Sequence, residues 1–286
     1  MSTAPAVNQA EISITASDGR EFRDLLAVEE PLEIRLRLPD GLQKAVSITM
    51  RTPGDDAELA AGFLFTEGII KSPEQIKQIR HCGLKIGKQK GTLDRVAALN
   101  SNTIRIDLAD DAAVDLKKLE RHFYTTSSCG VCGKSSIEAL RTTANPVSAN
   151  GLRIDAELLH SLPEKLRESQ AVFERTGGLH ASALFSPEGG LDIIREDVGR
   201  HNALDKVIGK KFLDGGMPLN DRILLLSGRA SFELVQKTLM AGIAVVAAVG
   251  APSTLAVELA TEYGMTLVGF VRDGRFNIYC GGQRIR

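Results

Sequence analysis

Cysteine is scarce in this chain, with only four in 286 residues. Small secreted domains depend on many disulfides, so this low content excludes a disulfide scaffold. In a reducing cytosol the four thiols would be free, catalytic or bound to a metal. The sequence also opens without a basic segment followed by an apolar one, so we expect no signal peptide and a cytoplasmic protein.

Long apolar runs and an excess of one charge are also missing. The longest apolar run, around residues 243–249, is far too short to cross a bilayer. Lysine and arginine number 35 against 36 acidic residues, which leaves no electrostatic footprint for nucleic acid. No G-x-G-x-x-G is present, so an ordinary dinucleotide fingerprint is excluded. We therefore expect no membrane segment and no nucleic-acid partner.

The first half of the chain shows the period-two alternation of strands. Apolar residues alternate with charged ones over residues 32–38, and Asp40-Gly41 supplies a hairpin turn. A second hairpin is predicted within residues 95–108. Between the two, a helix is predicted to begin at Asp55, where Glu58 is placed to complete a capping box. Capping alone would explain both of these acidic residues.

The second half alternates strands with helices. A strand pair is predicted at 180–185 and 190–196, followed by a helix in 197–212. Continuous aliphatic strands at 222–228, 243–250 and 265–271 alternate with helices at 231–242 and 252–264, and a last hairpin turns at Asp273-Gly274. Such strands are typical of a parallel sheet with helices on both faces.

These patterns predict an α/β fold in three parts. A smaller, strand-rich N-terminal domain of α+β character is expected over residues 1–122. A flexible loop and linker with a Cys-x-x-Cys pair follows at 123–149, and an α/β cofactor-binding domain at 150–286.

Two loops in the second half each follow a strand and open a helix, at residues 227–231 and 250–254. Their small residues let a ligand approach the backbone, and helix N-termini offer free N–H groups to an anion. Arg229, and beyond the last strand Arg272 and Arg275, can pair with phosphates. A phosphorylated or nucleotide-like ligand is therefore predicted at adjacent strand ends. The alternative is that serine and threonine only cap helices and the arginines are solvated.

Cys129 and Cys132 form a C-x-x-C pair within residues 125–136. A closed zinc site needs four ligands, and neither Cys82, Cys280 nor the five histidines supply a second close pair. A structural zinc nevertheless stays an alternative.

Three other functions of the cysteine segment disagree with the sequence around it. The H-A-S sequence at His180 has Ser182 where zinc deaminases have glutamate, so deaminase chemistry is excluded. Ser128 stands where a P-loop needs glycine, which excludes that motif. A thioredoxin-type dithiol should follow a strand, and no strand-like run precedes the pair.

Sulfur carriage is the remaining reading of the cysteine pair. It needs an accessible thiolate, which a nearby cation or helix N-terminus favours. Lys134 lies close by, and a helix can begin just after Cys132. A second thiol could help to release the sulfur as a disulfide forms, or could relay it. The spacing alone does not decide among these alternatives.

Five segments together resemble the formate dehydrogenase accessory sulfurtransferases, the FdhD family. They lie in the family's order at residues 50–70, 127–136, 195–206, 227–243 and 250–260. The resemblance extends from about residue 45 to the C-terminus. It implies a homodimeric cytoplasmic protein that takes sulfur from a cysteine desulfurase as a persulfide. The sulfur would pass to the molybdenum (or tungsten) bis-pterin guanine dinucleotide cofactor of formate dehydrogenase.

The resemblance also implies a three-layer C-terminal domain similar in fold to cytidine deaminases. It assigns the persulfide to Cys129 and a partner role to Cys132. It assigns cofactor binding to the segment Phe270, Val271, Arg272, Asp273, Gly274 and Arg275. From the loops we add as candidate cofactor-binding residues Ser227, Gly228, Arg229, Ser231, Gly250, Ser253 and Thr254, and also His201.

The segment 195–206 is interpreted least fully. Asp197 is expected to cap a helix, while His201 and Asp205 are candidates for lining the cofactor site. A hydrogen-bonded interface role is the alternative for His201.

The predicted function is therefore that of a sulfurtransferase, a persulfide carrier without a catalytic metal of its own. Its cofactor, the molybdenum bis-guanine-dinucleotide, would be a bound substrate. The alternatives are a cofactor-binding chaperone that moves no sulfur and a zinc-stabilised binding module. Which cysteine carries sulfur first is left open, and Cys132 is an alternative main carrier.

Overall fold

The computed structural model describes residues 8–82, 102–112, 147 and 151–286. Cys129 and Cys132 lie outside the described residues, as does almost all of the predicted segment 123–149. The first arm of the hairpin predicted within residues 95–108 also lies outside them.

Two small sheets are formed by the described residues of the N-terminal part, 8–82 and 102–112. Strands β1 (Gln9–Thr15) and β2 (Glu21–Ala27) form an antiparallel pair. A four-stranded sheet in the order β4-β3-β6-β5 contains β3 (Glu30–Arg37), β4 (Gln43–Arg51), β5 (Ile76–His81) and β6 (Thr103–Leu108). The alternating apolar residues of β3 are buried, and the hairpin at Asp40-Gly41 is confirmed. Strand β6 pairs in parallel with β3 and antiparallel with β5.

Helix α1 (Asp56–Thr66) begins where the sequence predicts, but the predicted capping box is wrong. Asp55 occupies the N-cap position with a left-handed φ of 55°, and its side chain makes no capping hydrogen bond. Glu58 instead accepts two hydrogen bonds from Arg195, at 2.6 and 2.9 Å. A guanidinium binds a carboxylate more strongly than one neutral backbone N–H does. The carboxylate of Glu58 in the first turn therefore forms an ion pair and does not complete a capping box.

The C-terminal part is built on a six-stranded sheet in the order β12-β11-β10-β9-β7-β8. Its strands are β7 (His180–Phe185), β8 (Leu191–Asp197), β9 (Ile223–Leu226), β10 (Val245–Ala248), β11 (Thr266–Arg272) and β12 (Arg275–Cys280). Strands β9, β10 and β11 are parallel, and the hairpins β7–β8 and β11–β12 are antiparallel. All strands predicted in this half are confirmed.

Within residues 151–286, five helices accompany this sheet: α2 (Ala156–Ser169), α3 (Ala171–Thr176), α4 (Arg200–Leu213), α5 (Phe232–Met240) and α6 (Thr254–Glu262). The three helices predicted in this half correspond to α4, α5 and α6. Within the described ranges, no helix combines the length and the apolar character that a membrane span requires.

Buried side chains on the two faces of the six-stranded sheet belong to separate cores. Leu224, Leu226 and Val246 pack with apolar residues of α4, α5 and α6. Residues that alternate with them, such as Leu225 and Val245, pack with apolar residues of α2. The predicted mixed α/β class is confirmed, and the C-terminal part has three layers. The domain limits and the likeness to cytidine deaminases stay predictions.

Helix α1 of the N-terminal part and helix α4 of the C-terminal part cross so closely that their backbones are in contact. A side-chain carbon at Gly62 would lie 1.9 Å from the carbonyl oxygen of Asp205, and one at Gly209 would lie 1.8 Å from that of Glu58. Neither position can accept a side chain, because the obstructing atoms are backbone. The four-stranded sheet packs on the other side of α1 in a third apolar core.

We predict that Gly62→Ala lowers the free energy of unfolding by about 1–3 kcal/mol or more, because the helices must separate. Urea denaturation measures the change. Gly178→Ala is the matched control, since a side-chain carbon there would meet nothing closer than 3.8 Å. Equal midpoints for Gly62→Ala and the wild type would contradict the close crossing.

Candidate functional site

The C-terminal ends of β8, β9, β10 and β11 lie along one edge of the six-stranded sheet. Strand β7 is antiparallel to both β8 and β9, so its first residue, His180, lies at the same edge, opposite Asp197. Helices α4, α5 and α6 each begin just after a strand ends at this edge. We call it the C-terminal edge. Ligands usually bind at such edges in α/β sheets.

The two predicted anion-binding loops are hydrogen-bonded to each other at the C-terminal edge. The Gly250 N–H donates to the carbonyl oxygen of Gly228 at 3.0 Å, and that of Ser253 donates to Ala230 at 3.0 Å. A side-chain carbon at Gly250 would lie 3.1 Å from backbone atoms of the other loop. The structure therefore brings together residues 227–231 and 250–254, as the sequence predicts.

Ser231 and Ser253 in these loops each cap a helix. Ser231 Oγ accepts the N–H of Leu234 at 3.5 Å, and Ser253 Oγ accepts the N–H of Ala256 at 3.3 Å. The capping interpretation is thus confirmed for these two side chains. Ser227 Oγ has a different task and accepts the N–H of Ala181 at 2.8 Å.

The hairpin Phe270–Arg275 lies beside these loops. The N–H of Phe270 donates to the carbonyl oxygen of Gly250 at 3.1 Å. Phe270 has a φ of 55°, a strained backbone conformation for a bulky residue and one that recurs at functional sites. The guanidinium carbon of Arg272 lies 5.8 Å from the centre of the Phe270 ring.

The remaining predicted residues of this hairpin divide into exposed and buried ones. The predicted turn at Asp273-Gly274 is confirmed, and Arg272 and Arg275 on either side of it are exposed. Val271 is fully buried in the core that faces α2, so only its backbone can contribute to a site. Arg229 and Thr254 at the neighbouring loops are also exposed.

Two histidines lie at the C-terminal edge. His201 Nε2 lies 3.4 Å from Ser231 Oγ and 3.9 Å from a carboxylate oxygen of Glu233. Burial, then the charges of Lys237 and Arg200, lower the pKa of His201 to about 4. Burial, and then the charge of Arg200, also lower the pKa of His180. Both rings are therefore uncharged near neutral pH.

His180 and Arg200 are members of this edge that the sequence reasoning did not assign to the site. A side-chain carbon at Gly228 would lie 3.4 Å from His180 Nδ1, so this ring packs against the first loop. The signal in the sequence was positional: His180 starts a strand and Arg200 starts a helix at the ligand-binding end of the sheet.

Asp205 does not line the site, and that prediction is wrong. It is 2% exposed and lies one helical turn deeper than His201. Burial raises the pKa of Asp205 to about 6, although the ammonium of Lys237 lies 3.0 Å away and opposes the shift. Lys237 also donates to Thr66 Oγ1 at 2.9 Å. This pair therefore ties α4 and α5 to the end of α1.

Asp197 does not cap α4, whose N-cap residue is Gly199. Its buried carboxylate accepts the backbone N–H of Thr52 at 3.2 Å and of Gly199 at 2.8 Å. It also accepts Asn202 Nδ2 at 3.0 Å and pairs with Lys206 Nζ at 2.8 Å. Asp197 is placed here because its carboxylate satisfies buried donors from both parts of the chain. A carboxylate that only capped α4 would leave those donors unpaired.

Within the residues that the structure describes, no three His, Cys, Asp or Glu side chains converge into a group that could hold a metal ion. The two described cysteines, Cys82 and Cys280, are free thiols. The predicted persulfide residues Cys129 and Cys132 lie outside the described residues.

The sequence profile of the FdhD/NarQ family matches residues 27–286. The chain belongs to the FdhD/NarQ family. Among its relatives is a sulfur carrier protein FdhD of Streptomyces avermitilis, 51% identical over 92% of this chain and 89% of that protein. Another sulfur carrier protein FdhD, from Mycolicibacterium paratuberculosis, is 49% identical over 95% of this chain and 96% of that protein.

A solved structure of a candidate formate dehydrogenase accessory protein from Desulfotalea psychrophila resembles this FdhD/NarQ member. The TM-score is 0.69 at 26% identity, over 97% of this chain and 98% of that one. The similarity therefore covers both the N-terminal part and the six-stranded sheet with its C-terminal edge.

We predict that Lys206→Met in this FdhD/NarQ member lowers the free energy of unfolding by about 3–5 kcal/mol. The side chains of Lys206 and Asp197 are 1% and 0% exposed, so the change leaves a carboxylate buried without its counterion. Chemical denaturation measures it. Lys210→Met on the same helix is the control: the side chain of Lys210 is 40% exposed, and its loss should leave the denaturation midpoint almost unchanged. Equal effects of the two substitutions would contradict the role assigned to Lys206.

Proposed function

We propose that this protein is a sulfur carrier that serves formate dehydrogenase. Cys129 accepts sulfur as a persulfide from a cysteine desulfurase. The sulfur is then passed to the molybdenum bis-guanine-dinucleotide cofactor, held as a substrate at the C-terminal edge. Membership of the FdhD/NarQ family supports this proposal, as do the names of the relatives, which are sulfur carrier proteins. The active form is a cytoplasmic homodimer.

The observation that carries the proposal is the convergence of anion-binding features on one edge. The loops 227–231 and 250–254 are hydrogen-bonded to each other, and the hairpin Phe270–Arg275 is bonded to the second loop. The N-termini of α5 and α6 and the exposed residues Arg229, Arg272 and Arg275 suit the phosphates of a guanine dinucleotide. Glycine at 250 lets the two loops pack closely, because a side-chain carbon there would lie 3.1 Å from backbone atoms of the first loop.

The chemistry proceeds in two steps. The thiolate of Cys129 attacks the outer sulfur of the desulfurase persulfide, and the desulfurase cysteine leaves as a thiolate. Cys132 then attacks the inner sulfur of the Cys129 persulfide, so a disulfide forms and the outer sulfur leaves as hydrosulfide for the metal of the cofactor. A cellular dithiol reduces the disulfide and restores both thiols.

We predict that incubation with a cysteine desulfurase and cysteine adds one sulfur to the peptide that contains residues 125–136. The added sulfur is absent in Cys129→Ala and present in Cys132→Ala, because only the second variant keeps the attacking thiolate. Peptide mass spectrometry measures the loading. Cys82→Ala and Cys280→Ala are the controls, since both thiols are only partly exposed and belong to other elements.

The outcome of the loading experiment separates the alternatives. Loading that is lost in Cys132→Ala instead would make Cys132 the carrier. If no cysteine takes up sulfur, the sulfur-carrier proposal fails. A double variant of both cysteines that still supports formate dehydrogenase in cells would favour a chaperone that binds the cofactor without moving sulfur.

We also predict that Arg229→Ala weakens the binding of guanosine diphosphate about tenfold, because an exposed cation beside the phosphate loops is lost. Isothermal titration calorimetry measures the affinity. Arg20→Ala is the control, since the side chain of Arg20 is 81% exposed in the β1–β2 hairpin and pairs with Asp18 beside it. If the two variants bind the nucleotide equally well, the loop does not hold phosphate.

A further inference from the structure

A cation with an unsatisfied donor lies at the C-terminal edge beside the two histidines. Arg200 is the first residue of α4. Its Nε is buried and has no hydrogen-bond acceptor in the part of the chain that the structure describes. Two other buried cations of the same region have carboxylate partners: Lys206 pairs with Asp197, and Lys237 pairs with Asp205. A buried donor without an acceptor is costly, and a ligand that supplies the acceptor would explain its presence.

The two histidines add a second observation that points the same way. Arg200 and His201 are the first two residues of α4, and the helix starts three positions after Asp197, which pairs with His180 between β8 and β7, so the three residues lie close together at this edge. His180 packs against Gly228, and His201 contacts Ser231, so the region opens on the first phosphate loop. The other charged groups that face the rings are Asp197 for His180, and Lys237, Glu233 and Glu67 for His201.

We propose that Arg200, His180 and His201 form a phosphoryl-binding subsite between the ends of β8 and β9. The arginines at 229, 272 and 275 lie on other segments of the edge, namely the loop after β9 and the β11–β12 hairpin. The inference rests on the proposed function, because a dinucleotide carries phosphoryl groups at more than one point. The guanidinium supplies a planar pair of donors, and the imidazoles become donors on both nitrogens when they take up a proton.

Proton uptake is the expected signature of an anion in this subsite. A phosphoryl group beside the rings favours imidazolium, so the pKa of His201 in the complex lies above its free value of about 4. The bound state then holds more protons than the free state between the two pKa values. The affinity therefore rises as the pH falls through that window.

The test is calorimetric titration of guanosine diphosphate into the full-length protein, at about pH 5.5 and about pH 8. Arg200→Gln is expected to bind about tenfold more weakly than the wild type at both pH values, because a charged donor pair is lost. His201→Gln is expected to lose much of the increase in affinity at low pH. Lys210→Gln, at the far end of α4, is the control for a change of net charge and should bind within about twofold of the wild type.

A second variant and two further probes keep the outcome clear. Arg200→Lys keeps the charge without the planar fork, so it should bind with intermediate affinity even if Arg200→Gln folds poorly. Inorganic pyrophosphate should show the same dependence on Arg200 as the nucleotide, and guanosine should show none. If guanosine is weakened equally, or if Arg200→Gln binds guanosine diphosphate like the wild type, the subsite is refuted.

The failure of this inference can be told apart from the failure of the proposed function. A wild-type protein that loads sulfur, but whose nucleotide affinity does not depend on Arg200, refutes the subsite alone. A wild-type protein that loads no sulfur refutes the carrier function, while the calorimetric comparison still decides the subsite.

Discussion

The buried ion pair between Asp197 and Lys206 is the interaction on which the arrangement of this molecule depends. The carboxylate gathers donors from the end of β4, from the turn before α4 and from α4 itself. Lys206 adds a hydrogen bond to the carbonyl oxygen of Thr52 at 2.9 Å. Removing two charges from water is costly, so such a pair is sustained by complete hydrogen bonding. It holds the start of α4, and with it Arg200 and His201, at a fixed place on the C-terminal edge.

A polar seam continues from that edge into the interior between α4 and α5. His201 and Glu233 lie at its outer end, and Asp205 and Lys237 lie one helical turn deeper. Lys237 reaches the end of α1 through Glu67 at 3.2 Å. A polar pair at the proposed cofactor edge is therefore followed, one helical turn deeper, by a second pair that reaches the N-terminal part, while apolar cores lie on either side.

The local features of the fold could be predicted from the sequence because they depend on neighbouring residues. Aliphatic runs identified β9, β10 and β11, and Ser231 and Ser253 marked the starts of α5 and α6. The Asp273-Gly274 turn likewise follows from local conformational preference.

The errors concern acidic residues whose partners are remote. Asp197 bonds to Thr52 across 145 positions of sequence, and Glu58 bonds to Arg195 across 137. Asp205 is similar, because its counterion Lys237 lies on a different helix. A short acidic side chain near a helix start has the same local signature whether it caps the helix or joins a distant ion pair. Only the tertiary arrangement separates the two.

The crossing of α1 and α4 limits how parts of such proteins can be exchanged. Gly62 and Gly209 each meet the backbone of the other helix, so the fit depends on both helices at once. A chimera that joins the N-terminal part of one family member to the six-stranded sheet of another inherits one glycine from each parent. It can assemble only if the parent of the N-terminal part has glycine at position 62 and the parent of the sheet has glycine at position 209. The two helices must also cross at the same distance in both parents.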